Sequence, residues 1–197
     1  MKQTDFSERQ IEIMEAATLR IDRYGIQELT IKNLSSDINV SEAALYRHFK
    51  SKNDIMLGLL TYFIQEMSQR VEAIISKEDG TPVERLRDVF SSQLKAFVQK
   101  PAIVSVIFSE GIFQFNKELS STVSEMMETM HDVIDTIVKE GQDNGTLTSL
   151  VGHGTLATII MGSMRITVLK WKISGHNSDL IKDGNKVLNG IFKMIEK

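Results

Sequence analysis

The sequence LTIKNLSSDINVSEAALYRHFKSK, residues 29–52, has the pattern of two short helices joined by a tight turn. Thr30 and Ser41 are each suited to cap the start of one helix, because a hydroxyl oxygen accepts a hydrogen bond from a free amide of the first turn. Between the helices, Asn39 is the residue best able to adopt the left-handed conformation in which a helix often ends. The spacing predicts a helix-turn-helix, whose second helix enters the major groove of DNA.

The second of these helices carries two groups of side chains suited to DNA. Small or polar residues stand where base edges would be met, and these are Ser41, Glu42, Ala43 and Ala44. A hydroxyl and cationic groups suited to phosphates follow, and these are Tyr46, Arg47, His48, Lys50 and Lys52. An ordinary polar helix of an all-α protein would carry similar residues, so the pattern alone leaves both interpretations open.

Residues 40–52, VSEAALYRHFKSK, resemble the signature of the TetR family of one-component transcriptional regulators. That signature has Val-Ser, three variable residues, Leu-Tyr, any residue, His-Phe and then Ser-Lys. The resemblance implies phosphate contacts for one set of positions, namely Tyr46, His48 and Lys52. It implies base contacts for another set, namely Glu42, Ala43 and Ala44.

The sequence departs from the family pattern in two places. Asn39 stands where the family usually has glycine, and Asn can adopt the same turn conformation. Ser35 and Ser36 stand where Ile-Ala is common, which predicts a slightly looser helix-turn-helix core.

The composition is that of an ordinary globular protein, with 197 residues, 42% hydrophobic and 25% charged. No apolar run is long enough to span a bilayer and no apolar signal segment begins the chain, so we expect a cytoplasmic protein without a membrane partner. The absence of cysteine excludes disulfides, thiol catalysis and zinc–thiolate sites. A net charge of −3 argues against non-specific nucleic-acid binding by the whole chain, and the dense positive run is local, at residues 47–52.

The rest of the chain predicts helices only. Ser7 begins a capping box, and Gly25 is a suitable residue after the end of that helix. Residues 51–54 have the Ser-x-x-acid pattern of another helix start, and that helix continues through residues 55–76. Residues 81–84 form a second capping box at the start of a helix that runs to about residue 99. Further helices are predicted from Pro101 through the apolar residues 102–115, over 117–142 and 156–173, and from about residue 178 to the end. The predicted fold is all-α, with a three-helix DNA-binding domain at 1–52 and a helical ligand-binding and dimerisation domain at 53–197.

The sequence offers little support for catalysis. It contains no phosphate-binding glycine loop and no nucleophile motif, and no His/acid pair has metal-ligand spacing with a third partner. Glu128, His131 and Asp132 form a weakly metal-like set, which equally fits a surface histidine. We therefore expect neither a metal, a cofactor nor an enzyme.

Apolar side chains of the C-terminal region predict the interior of a helical bundle. These are Phe63, Met67, Phe90, Leu94, Phe97, Ile107, Phe108, Met126, Met130 and Ile134. They fit a packed core, but methionine is flexible and common on adaptable binding surfaces, and the chain has ten. The family resemblance implies that this region encloses a pocket for a small, often hydrophobic effector.

Residues 155–171 resemble the penultimate helix of the family. Small residues here permit close helix approach, and with apolar residues of the last helix they predict a two-fold, four-helix dimer interface. The residues assigned to it are Ala157, Gly162, Ser163, Leu188, Ile191 and Phe192. Packing within one chain is the alternative.

Arg165 is a charge inside an otherwise apolar stretch, residues 156–169. A buried guanidinium requires a partner. An acid of the same subunit such as Glu110, an acid across the dimer, an anionic group on the effector and plain solvent exposure all stay open. We include Arg165 in the predicted pocket.

Together these features indicate a homodimeric regulator, more often a repressor than an activator in this family, released from a palindromic operator by a small hydrophobic effector. Two other classes stay open: a DNA-organising or cell-division factor of the same fold without an effector, and an enzyme on a helical scaffold. Ligand-induced release from DNA would separate the regulator from both.

Overall fold

The computed structural model describes residues 5–76, 80–108 and 116–197. Its helices are α1 (Glu8–Tyr24), α2 (Ile31–Asp37), α3 (Glu42–Tyr46), α4 (Lys52–Ile75), α5 (Pro82–Gln99), α6 (Pro101–Ile107), α7 (Lys117–Asp143), α8 (His153–Ile173) and α9 (Leu180–Ile195). A 3-10 turn, Ile26–Glu28, lies between α1 and α2. The predicted all-α fold is confirmed. In the three described ranges no helix is long and apolar enough to cross a membrane.

The predicted helix starts follow from local hydrogen bonds. The Ser7 amide donates to Gln10 Oε1 at 3.0 Å, and the Gln10 amide donates to Ser7 Oγ at 3.3 Å. Thr81 and Glu84 make the same reciprocal pair at the start of α5, at 2.9 and 3.2 Å. Both capping boxes are confirmed, and α1 ends at Gly25 with φ 86°.

The helix start predicted at Ser51 is confirmed, since α4 begins at Lys52 and the Asp54 amide donates to Ser51 Oγ at 3.1 Å. Two other boundaries differ from the predicted ones. α8 begins at His153, three residues before the predicted start. α9 begins at Leu180 because the Asp179 carboxylate caps it, accepting from the Lys182 amide at 3.0 Å. Residues 109–115, the second half of a predicted apolar helix, lie outside the described residues.

The chain forms two compact units. The first comprises Met1–Glu66 and Lys100–Ser124, and the second comprises Met67–Gln99 and Glu125–Lys197. α4 therefore supplies residues to both. The predicted boundary between residues 52 and 53 separates a DNA-binding domain from a ligand-binding and dimerisation domain. The two compact units do not test that functional division, and it stays a prediction.

The first unit is built on close packing of α1 against α4 and the end of the helix-turn-helix. A Cβ added at Gly58 of α4 would lie 3.0 Å from Met14 Sδ and 3.1 Å from Phe49 Cε1. A larger residue at this position would therefore require Met14 or Phe49 to move by a few tenths of an ångström.

An ion pair fastens α1 to the end of α2. Arg20 donates to Asp37 through Nε at 2.5 Å and through Nη2 at 2.8 Å, the two-pronged geometry that suits a carboxylate. This hydrogen bonding lowers the pKa of the Asp37 carboxyl, against a smaller opposing effect of desolvation.

In the second unit, α5 packs on α9 through a matched large and small residue. A Cβ added at Gly184 of α9 would lie 2.3 Å from Leu94 Cδ1 of α5. One turn away, Ser91 Oγ donates to Asn185 Oδ1 at 3.2 Å. These contacts fix which side of α5 faces α9.

We expect Gly184→Ala to destabilise the protein by about 1–2 kcal/mol, because overpacking a tight core costs about 1–3 kcal/mol and alanine recovers only about 1 kcal/mol of helix propensity. Urea unfolding followed by the fluorescence of Trp171, the one tryptophan of the chain and a residue of the second unit, measures this.

Leu94→Val supplies the matched control. Alone it should destabilise by leaving a small void, and combined with Gly184→Ala it should restore part of the lost stability. Additive losses in the double variant would show that the two residues do not press on one another.

Candidate functional site

Thr30, Ser41 and Asn39 adopt the capping and turn roles that the sequence predicts for the helix-turn-helix. Thr30 Oγ1 accepts from the Asn33 amide at 3.1 Å, and Ser41 Oγ accepts from the Ala44 amide at 3.1 Å. Asn39 has φ 54°, the left-handed conformation predicted for the turn. Both hydroxyl groups keep their own proton for donation to another acceptor.

α3 is anchored by two apolar side chains one helical turn apart. Leu45 of α3 and Phe49, which follows α3, are buried, and so is Leu34 of α2. The predicted loosening by the two serines is limited, because the buried Ser35 hydroxyl donates to the Lys32 carbonyl at 2.9 Å. Ser36 is exposed.

The opposite side of α3 and the turn after it are exposed. Most predicted DNA-contact residues lie there with exposed side chains, namely Ser41, Glu42, Ala43, Tyr46, Arg47, His48 and Lys50, and Thr30 is exposed at the start of α2. Ala44 and Lys52 are half-buried. The individual roles at bases and phosphates stay predictions.

Lys52 already takes part in a contact within the protein. Its ammonium donates to the Ile26 carbonyl oxygen at 2.9 Å, which ties the start of α4 to the 3-10 turn before α2. Burial lowers the pKa of Lys52, and the nearby Glu28 carboxylate opposes that shift. Sequence reasoning missed this contact because nothing local marks a lysine that bonds a carbonyl so far back in the chain.

Histidines tie α7 to α8 in the second unit. His153 Nδ1 lies 2.5 Å from Asp135 Oδ1, and His131 Nε2 lies 3.3 Å from both the Gly154 carbonyl and Thr158 Oγ1. Over the described ranges, no group of three or more His, Asp or Glu is arranged to hold a metal ion.

The residues predicted to line a pocket divide between the two units. In the first unit, Phe63 and Ile107 are buried and Phe108 is half-buried. In the second unit the buried members are Met67, Phe90, Leu94, Phe97, Met126, Met130 and Ile134. Burial fits a packed core as well as a pocket lining, so the pocket stays a prediction.

A polar residue missed by the sequence analysis lies among these apolar ones. Gln93 of α5 is polar and yet only 5% exposed. Phe90 and Phe97 flank it, one turn before and one turn after. A polar residue that interrupts the buried period of an amphipathic helix was the signal available in the sequence.

The assignment of Arg165 to a buried pocket is corrected by its exposure. The buried residues of α8 include Leu156, Ile160, Met164 and Val168, which lie four positions apart. The exposed position of Arg165 fits an acid of the same subunit, a partner subunit or solvent.

Four of the six predicted dimer residues are buried within the single chain, and this corrects their exposure for Ala157, Leu188, Ile191 and Phe192. Ser163 is half-buried and Gly162 is exposed. The exposed apolar side chains of α8 and α9 are instead Ile159, Ile166, Ile173, Val187 and Met194.

Two family profiles together match nearly the whole chain. Residues 13–59 match the bacterial regulatory proteins of the tetR family, and residues 59–194 match the C-terminal region of YsiA-like proteins. The chain belongs to the TetR family. It is therefore a DNA-binding transcriptional regulator, and the resemblance noted at residues 40–52 is confirmed.

Similar proteins of known name include other regulators. The fatty acid metabolism regulator protein of Bacillus subtilis (strain 168) is 25% identical over 178 residues, covering 90% of this chain and 91% of that protein. The nucleoid occlusion factor SlmA of Vibrio atlanticus (strain LGP32) is 26% identical over 165 residues, covering 83% and 84%. The crystal structure of FadR from Bacillus subtilis in complex with stearoyl-CoA shares the fold, with a TM-score of 0.75, 24% identity and coverage of 92% and 96%.

We expect Lys52→Met to destabilise this TetR-family protein by about 1 kcal/mol, because the substitution removes a partly buried, charge-assisted hydrogen bond. Thermal unfolding measures the loss. Lys50→Met is the matched control, since Lys50 is exposed and its substitution should leave the stability nearly unchanged. Equal stability of both variants would free the Lys52 ammonium for the phosphate role that the resemblance implies.

Proposed function

We propose that this TetR-family protein is a homodimeric repressor that binds a palindromic operator and leaves it when a small hydrophobic effector binds. The observation that carries the proposal is the two-sided α3, which is anchored by Leu45 and Phe49 and exposes its other side. A short helix held in this way can enter a major groove without losing its place in the fold. Because its partner is DNA, we also propose a cytoplasmic location.

The residues on the exposed side support separate roles at DNA bases and at DNA phosphates. Ala43 is small, so the helix can approach the bases closely, and its methyl suits contact with a thymine methyl. Tyr46, Arg47, His48 and Lys50 offer a hydroxyl, imidazole and cations to phosphates, which position the protein without reading sequence.

Exposed apolar residues on α8 and α9 support a second copy of the chain as partner. Ile159, Gly162, Ile166 and Ile173 follow one another at helical spacing on the exposed side of α8. A Cβ added at Gly162 would meet nothing within 4 Å in the single chain. Glycine inside a helix costs about 1 kcal/mol relative to alanine, so its presence at an open position fits close approach by another helix.

α9 repeats this arrangement. Val187, Gly190 and Met194 lie three and four residues apart, and Met194 is 71% exposed. Gly190 also has open space where a Cβ would stand. Two such helices from each of two subunits would form a four-helix interface about a two-fold axis.

The effector proposal rests on the apolar character of the second unit and on the relatives. A fatty acid metabolism regulator is among the similar proteins, and a protein of the same fold was crystallised with stearoyl-CoA. We therefore propose a fatty acyl thioester as the first effector class to test. α4 supplies residues to both units and is the continuous stretch of chain through which ligand binding would reach the DNA-binding helices.

A DNA-organising factor without an effector is the second candidate. The observation that favours it is the similarity to the nucleoid occlusion factor SlmA, at an identity close to that of the fatty acid metabolism regulator. Catalysis is not part of either proposal, since the family is one of DNA-binding regulators.

The central experiment selects bound sites from random DNA and then adds stearoyl-CoA to the complex. We expect a palindrome, because a two-fold dimer places two copies of α3 on equivalent half-sites, and we expect release by the thioester. Ala43→Glu should abolish operator binding by placing a carboxylate against the bases, with little change in thermal stability, since Ala43 is exposed.

Each outcome separates the candidates. A palindrome with release supports the repressor, while a palindrome without release by any acyl-CoA favours the DNA-organising factor. An Ala43→Glu variant that still protects the operator at the wild-type concentration would remove α3 from the major groove.

The dimer face is tested by Ile166→Asp. Ile166 is 54% exposed on α8, so the substitution should leave the folded chain intact while placing a carboxylate in an apolar interface, and sedimentation should report monomers. Leu19→Asp is the matched control, because Leu19 is 68% exposed on α1, outside the proposed face. Dimers in the Ile166 variant, or monomers in the Leu19 variant, would contradict the assignment.

A further inference from the structure

We infer that the Glu42 carboxylate recognises a cytosine in each half-site of the operator, by accepting a hydrogen bond from the cytosine N4 amino group in the major groove. The inference rests on the proposed entry of α3 into that groove. It goes beyond the base contact that the family resemblance implies, because it names the base that the protein requires at one position.

Glu42 is the one acid in the sequence from residue 38 to residue 53, a stretch that also holds Arg47, Lys50 and Lys52. A carboxylate on a surface that approaches DNA is repelled by the phosphates, and this repulsion weakens binding to every sequence. The repulsion is offset where the carboxylate accepts a hydrogen bond from a base. An acid in this position therefore favours particular sequences over others.

The acids on either side of this stretch are engaged within the protein, whereas Glu42 is exposed on α3. Asp37 accepts from Arg20 Nη2 at 2.8 Å. Asp54 accepts from the Lys50 amide at 2.9 Å and from the Ser51 hydroxyl at 3.0 Å. The Glu42 carboxylate is also not the cap of its own helix, because Ser41 Oγ accepts from the Ala44 amide at 3.1 Å.

The position of Glu42 on α3 suits contact with a base. Glu42 is the first residue of the helix, and the first residues of a recognition helix are those that meet base edges. Ala43 follows it and is small and exposed, so it leaves room for the helix to approach the bases. Tyr46, one turn later, lies on the same side of α3, where its hydroxyl can meet a phosphate.

The donors and acceptors of the major groove determine which base a carboxylate favours. An ionised carboxylate only accepts hydrogen bonds. Guanine and thymine present acceptor atoms in this groove, whereas cytosine N4 and adenine N6 are donors. Adenine also presents its N7 acceptor beside the amino group, and that atom repels the second carboxylate oxygen. Cytosine is therefore the base that Glu42 favours.

The first experiment selects bound sites from random DNA with wild type, Glu42→Gln and Glu42→Ala. The wild-type motif should contain cytosine at one position of each half-site. Glutamine both donates and accepts, which matches adenine N7 and N6, so Glu42→Gln should change that position to adenine and no other. Glu42→Ala should accept any base there. Because Glu42 is exposed, thermal unfolding should show both variants folded.

The second experiment changes the DNA and leaves the protein intact. N4-methylcytosine still pairs with guanine, but a methyl group replaces the amino hydrogen that faces the major groove. Placing it at the selected cytosine should weaken wild-type binding about 5- to 100-fold per half-site, the range expected when one base contact is lost. Glu42→Ala should bind the methylated and unmethylated operators equally.

Glu15→Gln is the matched control for charge. Glu15 is exposed on α1, so its substitution removes the same charge as Glu42→Gln but leaves α3 unchanged. This variant should keep the wild-type motif and the full sensitivity to N4-methylcytosine. A changed motif in Glu15→Gln would trace the preference to net charge and overturn the inference.

The remaining outcomes separate the role of Glu42 from operator binding itself. Identical motifs for wild type and Glu42→Ala, or wild type that binds both operators equally, overturn the role of Glu42 and leave operator binding standing. A wild-type motif with another base at the position that changes in Glu42→Gln overturns the assignment to cytosine. A wild-type selection that yields no motif overturns the inference together with the proposed operator binding.

Discussion

The burial of Leu45 and Phe49 is the constraint on which the DNA-facing surface depends. A helix of five residues has no stability of its own, since nucleation is unfavourable and few hydrogen bonds follow. α3 exists because these two side chains enter the core and because Ser41 satisfies a free amide at its start. The burial of these two side chains holds the exposed residues of α3 in position. Gly58 of α4 leaves space for the Phe49 ring, because an added Cβ would lie close to it.

In the second unit the corresponding constraint is the packing of Leu94 against Gly184. This packing fixes one side of α5 on α9. Another side of α5 carries the buried residues Phe90, Gln93 and Phe97.

Sequence alone predicted the features that depend on neighbours in the chain. The caps at Thr30 and Ser41 and the left-handed Asn39 each follow from residues a few positions apart, and all three predictions are confirmed. The bond from Lys52 to the Ile26 carbonyl joins residues 26 positions apart, and no periodicity reveals it. The burial of Ala157 was missed for a different reason: α8 is apolar on more than one side, so its pattern does not say which row faces inward.

Glycines inside the helices show which helix faces pack within one chain and which are open to another molecule. Gly58 and Gly184 are explained within one chain, because a Cβ at either position would meet a neighbouring side chain. Gly162 and Gly190 have no such neighbour, and both lie on the exposed sides of α8 and α9. A helix glycine that relieves no crowding in its own chain is a net cost to stability unless another molecule approaches. Each of these two glycines therefore lowers the stability of the isolated chain, and each becomes favourable when a partner helix approaches closely.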